Sequence, residues 1–135
     1  MKINKPIGEK CWIVPDGYIP QTTENDSNNL NGYISHECAC ILNTGPKDAR
    51  IDLSIYFEDA EPKLVEGIIV PARRSCHLRM DQLKTDGKPV IERATPYSLV
   101  IHSSEPVVVQ MSRLDTTQNN MAFLSTMGLP VNNEE

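Results

Sequence analysis

The sequence predicts an all-β fold: an antiparallel β-sandwich of about seven to eight short strands, forming a single domain. Three observations carry this. Ten prolines and seven glycines punctuate the chain, so that no stretch sustains a helical pattern and the spacing suits sheets joined by turns. "RIDLSIYFED" (50–59) alternates strictly, with Ile51, Leu53, Ile55 and Phe57 on one face and Arg50, Asp52, Ser54, Tyr56 and Glu58 on the other. That is the period of a strand with one buried side. Turn signals such as "NTGPKD" and "KTDGKP" separate further apolar runs.

In chain order, "KCWIVPDGYI" reads as a first strand interrupted by Pro15 and the Pro-Asp-Gly turn signal. "PQTTENDSNNLNG" (20–32) is polar, Asn-rich and aperiodic, which predicts a mobile surface loop. "YISHECACILN" (33–43), the 50–59 run and "LVEGIIVP" (64–71) are β-branched and bounded by turns, as strands are. "YSLVIHS" (97–103) and "PVVVQMSRL" (106–114) read as two more. In "TTQNNMAFLSTM" (116–127) Met121 and Leu124 fall on one side of a candidate helical turn. The tail, 130–135, is expected to fray.

A chain of 135 residues suits one domain with a substantial core. No run approaches the roughly 18 apolar residues of a membrane span, and "MKINKPIGEKCW" lacks the apolar core of a secretory signal. The expectation is a cytoplasmic protein with no membrane insertion, in which Cys11, Cys38, Cys40 and Cys76 stay reduced. A net charge of -5 argues against nucleic acid as a partner, because duplex affinity comes mainly from Lys and Arg displacing counterions. A small anion in a local basic pocket remains allowed.

The run that bears on function is "VPARRSCHLRM" (70–80). If it is extended, Arg73, Ser75, His77 and Arg79 share one side, while Arg74 falls on the other with Cys76, Leu78 and Met80. Same-side neighbours two apart lie about 6–7 Å from each other, so the cations need something negative among them. Two readings follow. The arginines pair with carboxylates such as Glu37, Asp59, Glu61 or Asp115, or across a subunit boundary. Alternatively they form a guanidinium fork for a hydroxyl-rich or anionic small molecule, with His77 as an adjustable donor.

Other polar positions interrupt apolar strands. Ser35 and Glu37 share a face, whereas His36 points the other way as a core or interface residue. Gln110 and Ser112 project to one side, and Met111, Arg113 and Asp115 to the other, where Arg113 and Asp115 are spaced to pair along the strand. Trp12 is either a packing residue or a platform for a sugar ring. Cys38-x-Cys40 lacks the spacing of a zinc knuckle, so no metal and no cofactor is expected. No nucleophile elbow, zincin, P-loop or dinucleotide motif occurs. Cys76 and His77, adjacent on a strand, diverge. No catalytic residue is therefore assigned.

"IGEKCWIVPDGYIP", "SHECACILNTGPKDARIDLSIYFEDAEP", "VPARRSCHLRMDQL" and "EPVVVQMSRLDTTQ", in that order, resemble the Anabaena sensory rhodopsin transducer family from about Ile7 to Met127. The resemblance implies a β-sandwich that assembles as a homotetramer. It also implies a soluble signalling role: relay from a sensory rhodopsin in the member that names the family, and, for the many relatives in bacteria lacking rhodopsins, an inferred binding of small molecules such as sugars or related metabolites. Two positions depart from the family pattern, Met111 where a histidine is common and His102 where a glutamate is common. If both line one pocket, ligand choice or pH response changes. The Asn-rich insertion at 24–32 also differs from the compact family loop.

The combined expectation is a non-enzymatic sensor for a sugar-like metabolite, neutral or acidic. Its ligand would be held by Trp12, Ser35, Glu37, Arg73, His77, Arg79, Gln110 and Arg113, with His36, Asn43, Arg74 and Asp115 in interface or structural roles. The alternative is a protein-interaction transducer, relaying from a receptor or to a DNA-associated regulator, in which the arginines serve subunit or partner contacts.

Overall fold

The computed structural model describes residues 5–24, 26 and 32–132. Its strands, in chain order, are β1 (Glu9–Gly17), β2 (His36–Asn43), β3 (Ala49–Phe57), β4 (Lys63–Val70), β5 (Arg74–Arg79), β6 (Lys84–Thr85), β7 (Lys88–Pro89), β8 (Tyr97–Asp115), β9 (Ala122–Met127) and β10 (Leu129–Val131). A single 3-10 turn, Met80–Gln82, follows β5.

Strand β8 belongs to both layers of the sandwich. Its first half pairs antiparallel with β1 and β3, and its second half with β2 and β9. Beyond these, β4 extends the first layer from β3 and β10 extends it from β1, while β5 extends the second layer from β2. The partners change around Ser104 to Pro106. A proline is tolerated there because its missing N–H falls between two ladders rather than inside one. The Ser103 hydroxyl donates to the Glu105 carbonyl at 2.6 Å, so local backbone polarity is met without a strand neighbour.

Alternation along β8 continues through that corner. Tyr97, Leu99, Ile101, Val107, Val109 and Met111 are all buried, and they meet Val14, Ile51, Leu53 and Ile55 of one layer and Ala39 and Ile41 of the other in one core. Each fully buried branched aliphatic contributes about 1.5–3 kcal/mol of transfer free energy. The Asn43 side chain, wholly buried, ties the end of β2 to the first layer: its amide donates to the carbonyls of Lys47, Val70 and Pro71 at 2.8, 3.1 and 3.3 Å. Asp86 and Gly87, both at positive φ, turn the short β6–β7 ribbon, as a two-residue hairpin of right-handed twist requires.

Four sequence expectations change. The runs 97–103 and 106–114 are one continuous strand, because the chain bends between layers without leaving the extended conformation. The 116–127 segment is not helical; Ala122–Met127 pairs with β8 from Asp115 to Gln110, an open sheet edge prevailing over a weak local pattern. Pro15 does not end β1, since a bulge between Val14 and Gly17 absorbs it. Leu129–Val131 pairs with β1 instead of fraying at 130. Of the expected loop and tail, residues 25, 27–31 and 133–135 lie outside the described residues.

Candidate functional site

The register places the polar residues on two faces of the second layer. Cys38 lies opposite Ser112 and Arg79, and Cys40 opposite Gln110 and His77. Residues directly opposite share a face. His77, Arg79 and Gln110 therefore stand together on the outer side, where His77 and Gln110 border a shallow depression of about 160 Å³. Glu37 lies opposite Arg113, and this pair points inward.

The expected guanidinium fork does not form within the chain. Residues 70–80 are not one extended segment, because the chain crosses from β4 in one layer to β5 in the other. Arg73 sits in that crossing at φ 56, exposed, with its N–H on the Gly45 carbonyl at 3.2 Å. Arg74 is exposed too, and its guanidinium returns to the Arg73 carbonyl. Arg79 instead grips Asp81 through two hydrogen bonds of 2.7 Å. Arg93 joins Asp81 at 3.4 Å and spends its other nitrogen on the carbonyls of Pro20 and Ser35. Sequence reasoning missed both partners: Asp81 was not among the carboxylates weighed, although it stands two positions after Arg79 in "RMDQL", and Arg93 carried no sequence signal.

Other expected ligand contacts are also occupied internally. Trp12 is 5% exposed, and its indole N–H donates to the carbonyls of Val107 and Glu9 at 2.9 and 3.0 Å. It offers no open face for a sugar ring. The Ser35 hydroxyl, fully buried, accepts from the Thr116 backbone N–H at 2.8 Å and latches the two chain segments. His36 holds the Ile34 carbonyl through Nδ1. Asp115 does not pair with Arg113 but accepts from the backbone N–H and hydroxyl of Thr117.

What the fold does assemble is a carboxylate with three donors. Glu37, 2% exposed, accepts from the Tyr97 hydroxyl at 2.8 Å and the Tyr18 backbone N–H at 2.7 Å on Oε1, and from Arg113 Nε at 2.9 Å on Oε2. Tyr97 and Arg113 stand at opposite ends of β8, about 50 Å apart were the strand straight. Only the bend at Pro106 brings both onto one carboxylate. Burial pushes the Glu37 carboxyl above the usual range, while Tyr97, Arg113 and the Tyr18 N–H pull it back. Glu37 and Arg113 line a cavity of about 450 Å³, with Asp16, Ser112 and Thr126 as further polar lining and Ile13, Met111, Leu124, Met127 and Leu129 the main apolar part. Sequence reasoning missed Tyr97 and Asp16. Tyr97 has only its inward parity on β8 as a signal, and Asp16 was absorbed into a supposed turn.

Residues 7–130 match the model of a family described as the Anabaena sensory rhodopsin transducer. The chain belongs to the Anabaena sensory rhodopsin transducer family. Thermotoga maritima 1070, a crystal structure, is 36% identical at a TM-score of 0.78, over 92% of this chain and 96% of that one. The structure of the Anabaena sensory rhodopsin transducer is 39% identical at a TM-score of 0.64, over 82% of this chain and 99% of that one. A comparison with curated proteins found no match.

In this transducer-family member the two departures do not share a pocket. Met111 is buried against the cavity, whereas His102 is exposed on the first half of β8, opposite Cys11 and Asp52. Among the described residues no group of three or more His, Cys, Asp or Glu side chains is placed to hold a metal ion. Cys76 packs against the core while His77 is exposed, so no nucleophile and base meet there.

Tyr97 makes the site testable in alkali. Burial holds its phenol far above the usual range, and the neighbouring Glu37 carboxylate acts the same way. A folded-state value raised in this direction stabilises fully below the unfolded phenol value, about 10, and that stabilisation is lost as pH climbs past it. Above pH 10 this group alone is expected to lower stability by about 1.4 kcal/mol per pH unit. Urea unfolding at several alkaline pH values should show Tyr97→Phe lacking that slope; equal slopes in both proteins would place the hydroxyl in contact with water.

Proposed function

We propose that this domain is a non-enzymatic, cytoplasmic small-molecule sensor that reports ligand occupancy to a partner protein. The observation that carries the reading is the cavity beside Glu37 and Arg113. Arg113 commits Nε to Glu37, yet its two terminal nitrogens have no hydrogen-bond partner among the described residues. A partly buried guanidinium, its side chain 21% exposed, with unused donors at the edge of a cavity of about 450 Å³ is an arrangement suited to an anionic oxygen. The ligand is a small metabolite that presents an anionic oxygen to Arg113. Family membership supports the signalling role in general terms, and output requires only that the ligand bind two conformations or assembly states unequally.

A specific observation also favours protein contacts. Strand β9 is exposed throughout, and with β10 it presents Phe123, Leu124, Met127 and Leu129, from 51% to 68% exposed. Leu124, Met127 and Leu129 also line the cavity, whereas Phe123, on the opposite face of β9 from Leu124, is an exposed aromatic on a sheet edge of the kind that subunits cover, in line with a homotetramer. Among the described residues no helix is long and apolar enough to cross a membrane.

Thermal and urea unfolding against a panel of sugars, sugar acids and small organic acids tests the sensor reading. A true ligand at 100 times its dissociation constant should stabilise by about 2.7 kcal/mol. A panel with no stabilising compound, in a protein that nevertheless associates through β9, would leave protein contact as the function.

A further inference from the structure

We propose that the cavity between β1, β8 and β9 takes a free α-amino acid with an apolar side chain, its carboxylate on Arg113 and its ammonium on Asp16. The inference rests on the small-molecule reading above and names the ligand class for the same site.

Three features of the lining have to be matched at once. The first is the guanidinium: the side chain of Arg113 is 21% exposed and only Nε is engaged, so a planar carboxylate meets its remaining fork. The second is Asp16, which lines the same cavity and forms no hydrogen bond or ion pair among the described residues. The bulge between Val14 and Gly17 sets its place, a common way for a strand to re-aim a side chain beside a site. Glu37 is already balanced by Arg113 and its other donors; Asp16, which is exposed, is balanced only by solvent. A ligand that is purely anionic satisfies Arg113 but meets Asp16 as a like charge. A cation satisfies Asp16 and meets Arg113.

The third feature is the apolar part of the lining, from Ile13, Met111, Leu124, Met127 and Leu129. The hydroxyls of a sugar set against these side chains would lose water without gaining partners, and the Trp12 ring that would otherwise cover a sugar face is buried with its N–H committed. A hydrocarbon side chain removes the same surface from water at a gain of about 25 cal/mol per Å². A ligand with both charges on one carbon and a hydrocarbon branch is an apolar α-amino acid.

Isothermal titration calorimetry on the full chain tests this with leucine, phenylalanine, 4-methylpentanoate, 3-methylbutylamine, glucose and gluconate. Leucine or phenylalanine is expected to bind, and removing either charged group from leucine should weaken binding about tenfold or more. Asp16→Asn, at an exposed position, should raise the affinity for 4-methylpentanoate, which no longer meets a like charge, and lower that for leucine, so that the preference for leucine is erased. If gluconate or glucose binds and neither amino acid does, the amino-acid proposal is overturned and the sensor reading stands. If an amino acid binds equally well to Asp16→Asn, the assigned ammonium site is wrong. If nothing binds, both the proposal and the small-molecule reading fall.

Discussion

Replacing Arg113 with methionine is expected to cost about 3–5 kcal/mol, because it strands a buried carboxylate without its counter-charge. Glu37 is 2% exposed, and without Nε it keeps only the Tyr97 hydroxyl and the Tyr18 N–H, both on Oε1. The deficit should depend on pH with a definite sign. Burial already raises the folded-state value of Glu37, and losing the guanidinium raises it further. The protonated form is compatible with the site, so the variant's deficit is smallest near or below the unfolded glutamate value, about 4.3, and grows as pH rises through the folded value. The double variant Glu37→Gln, Arg113→Met should recover much of the loss, since no charge is then left unpaired. Urea unfolding midpoints at pH 4.5 and 7.5 decide this. An Arg113→Met cost below about 1 kcal/mol at both pH values would put the pair in the class of solvated surface bridges.

Gly17→Ala is expected to be nearly as damaging, by about 2–3 kcal/mol, although it adds one methyl group. A Cβ at this position would stand 2.4, 2.5 and 2.6 Å from Tyr97 Cζ, Cε2 and Cε1. The ring has no easy retreat: Tyr97 is 3% exposed, and its hydroxyl is tied to Glu37. Glycine therefore lets β1 pass flat against the ring that supports the carboxylate. The cost belongs to that contact, so it should largely vanish in a Tyr97→Leu background, a coupling of about 2 kcal/mol in a double-mutant cycle. Additive effects would mean that the ring yields to the methyl group after all.

Both variants act on one carboxylate, and that carboxylate shows where sequence reasoning stopped. Strand β3 was readable residue by residue, because Ile51, Leu53 and Ile55 alternate with polar neighbours and their burial follows from that alternation alone. The arginine-rich run was readable only as composition. Whether Arg73 and Arg79 converge depends on where the chain crosses between layers, and the turn at Ala72 and Arg73 separates them. Strand β9 misled for a related reason. Its apolar spacing is compatible with a helical turn, and its pairing with β8 depends on an edge supplied by residues elsewhere in the chain. Family resemblance reached further than periodicity did, since it extended the sandwich over nearly the whole chain, a span the family match covers as residues 7–130.

The sequence by itself determined the strand character of the chain outside β9 and β10 and, through parity, which side chains of β3 and β8 face the core. Alternation is a property of neighbours in the chain, so it needs no knowledge of the partner strands. Only the tertiary structure decided that β8 bends at Pro106 and carries Tyr97 and Arg113 from its two ends to Glu37. It also decided that Arg79 turns to Asp81 rather than to a cavity. Those choices rest on hydrogen-bond register and on the packing of one layer against the other, which are set by residues distant in sequence.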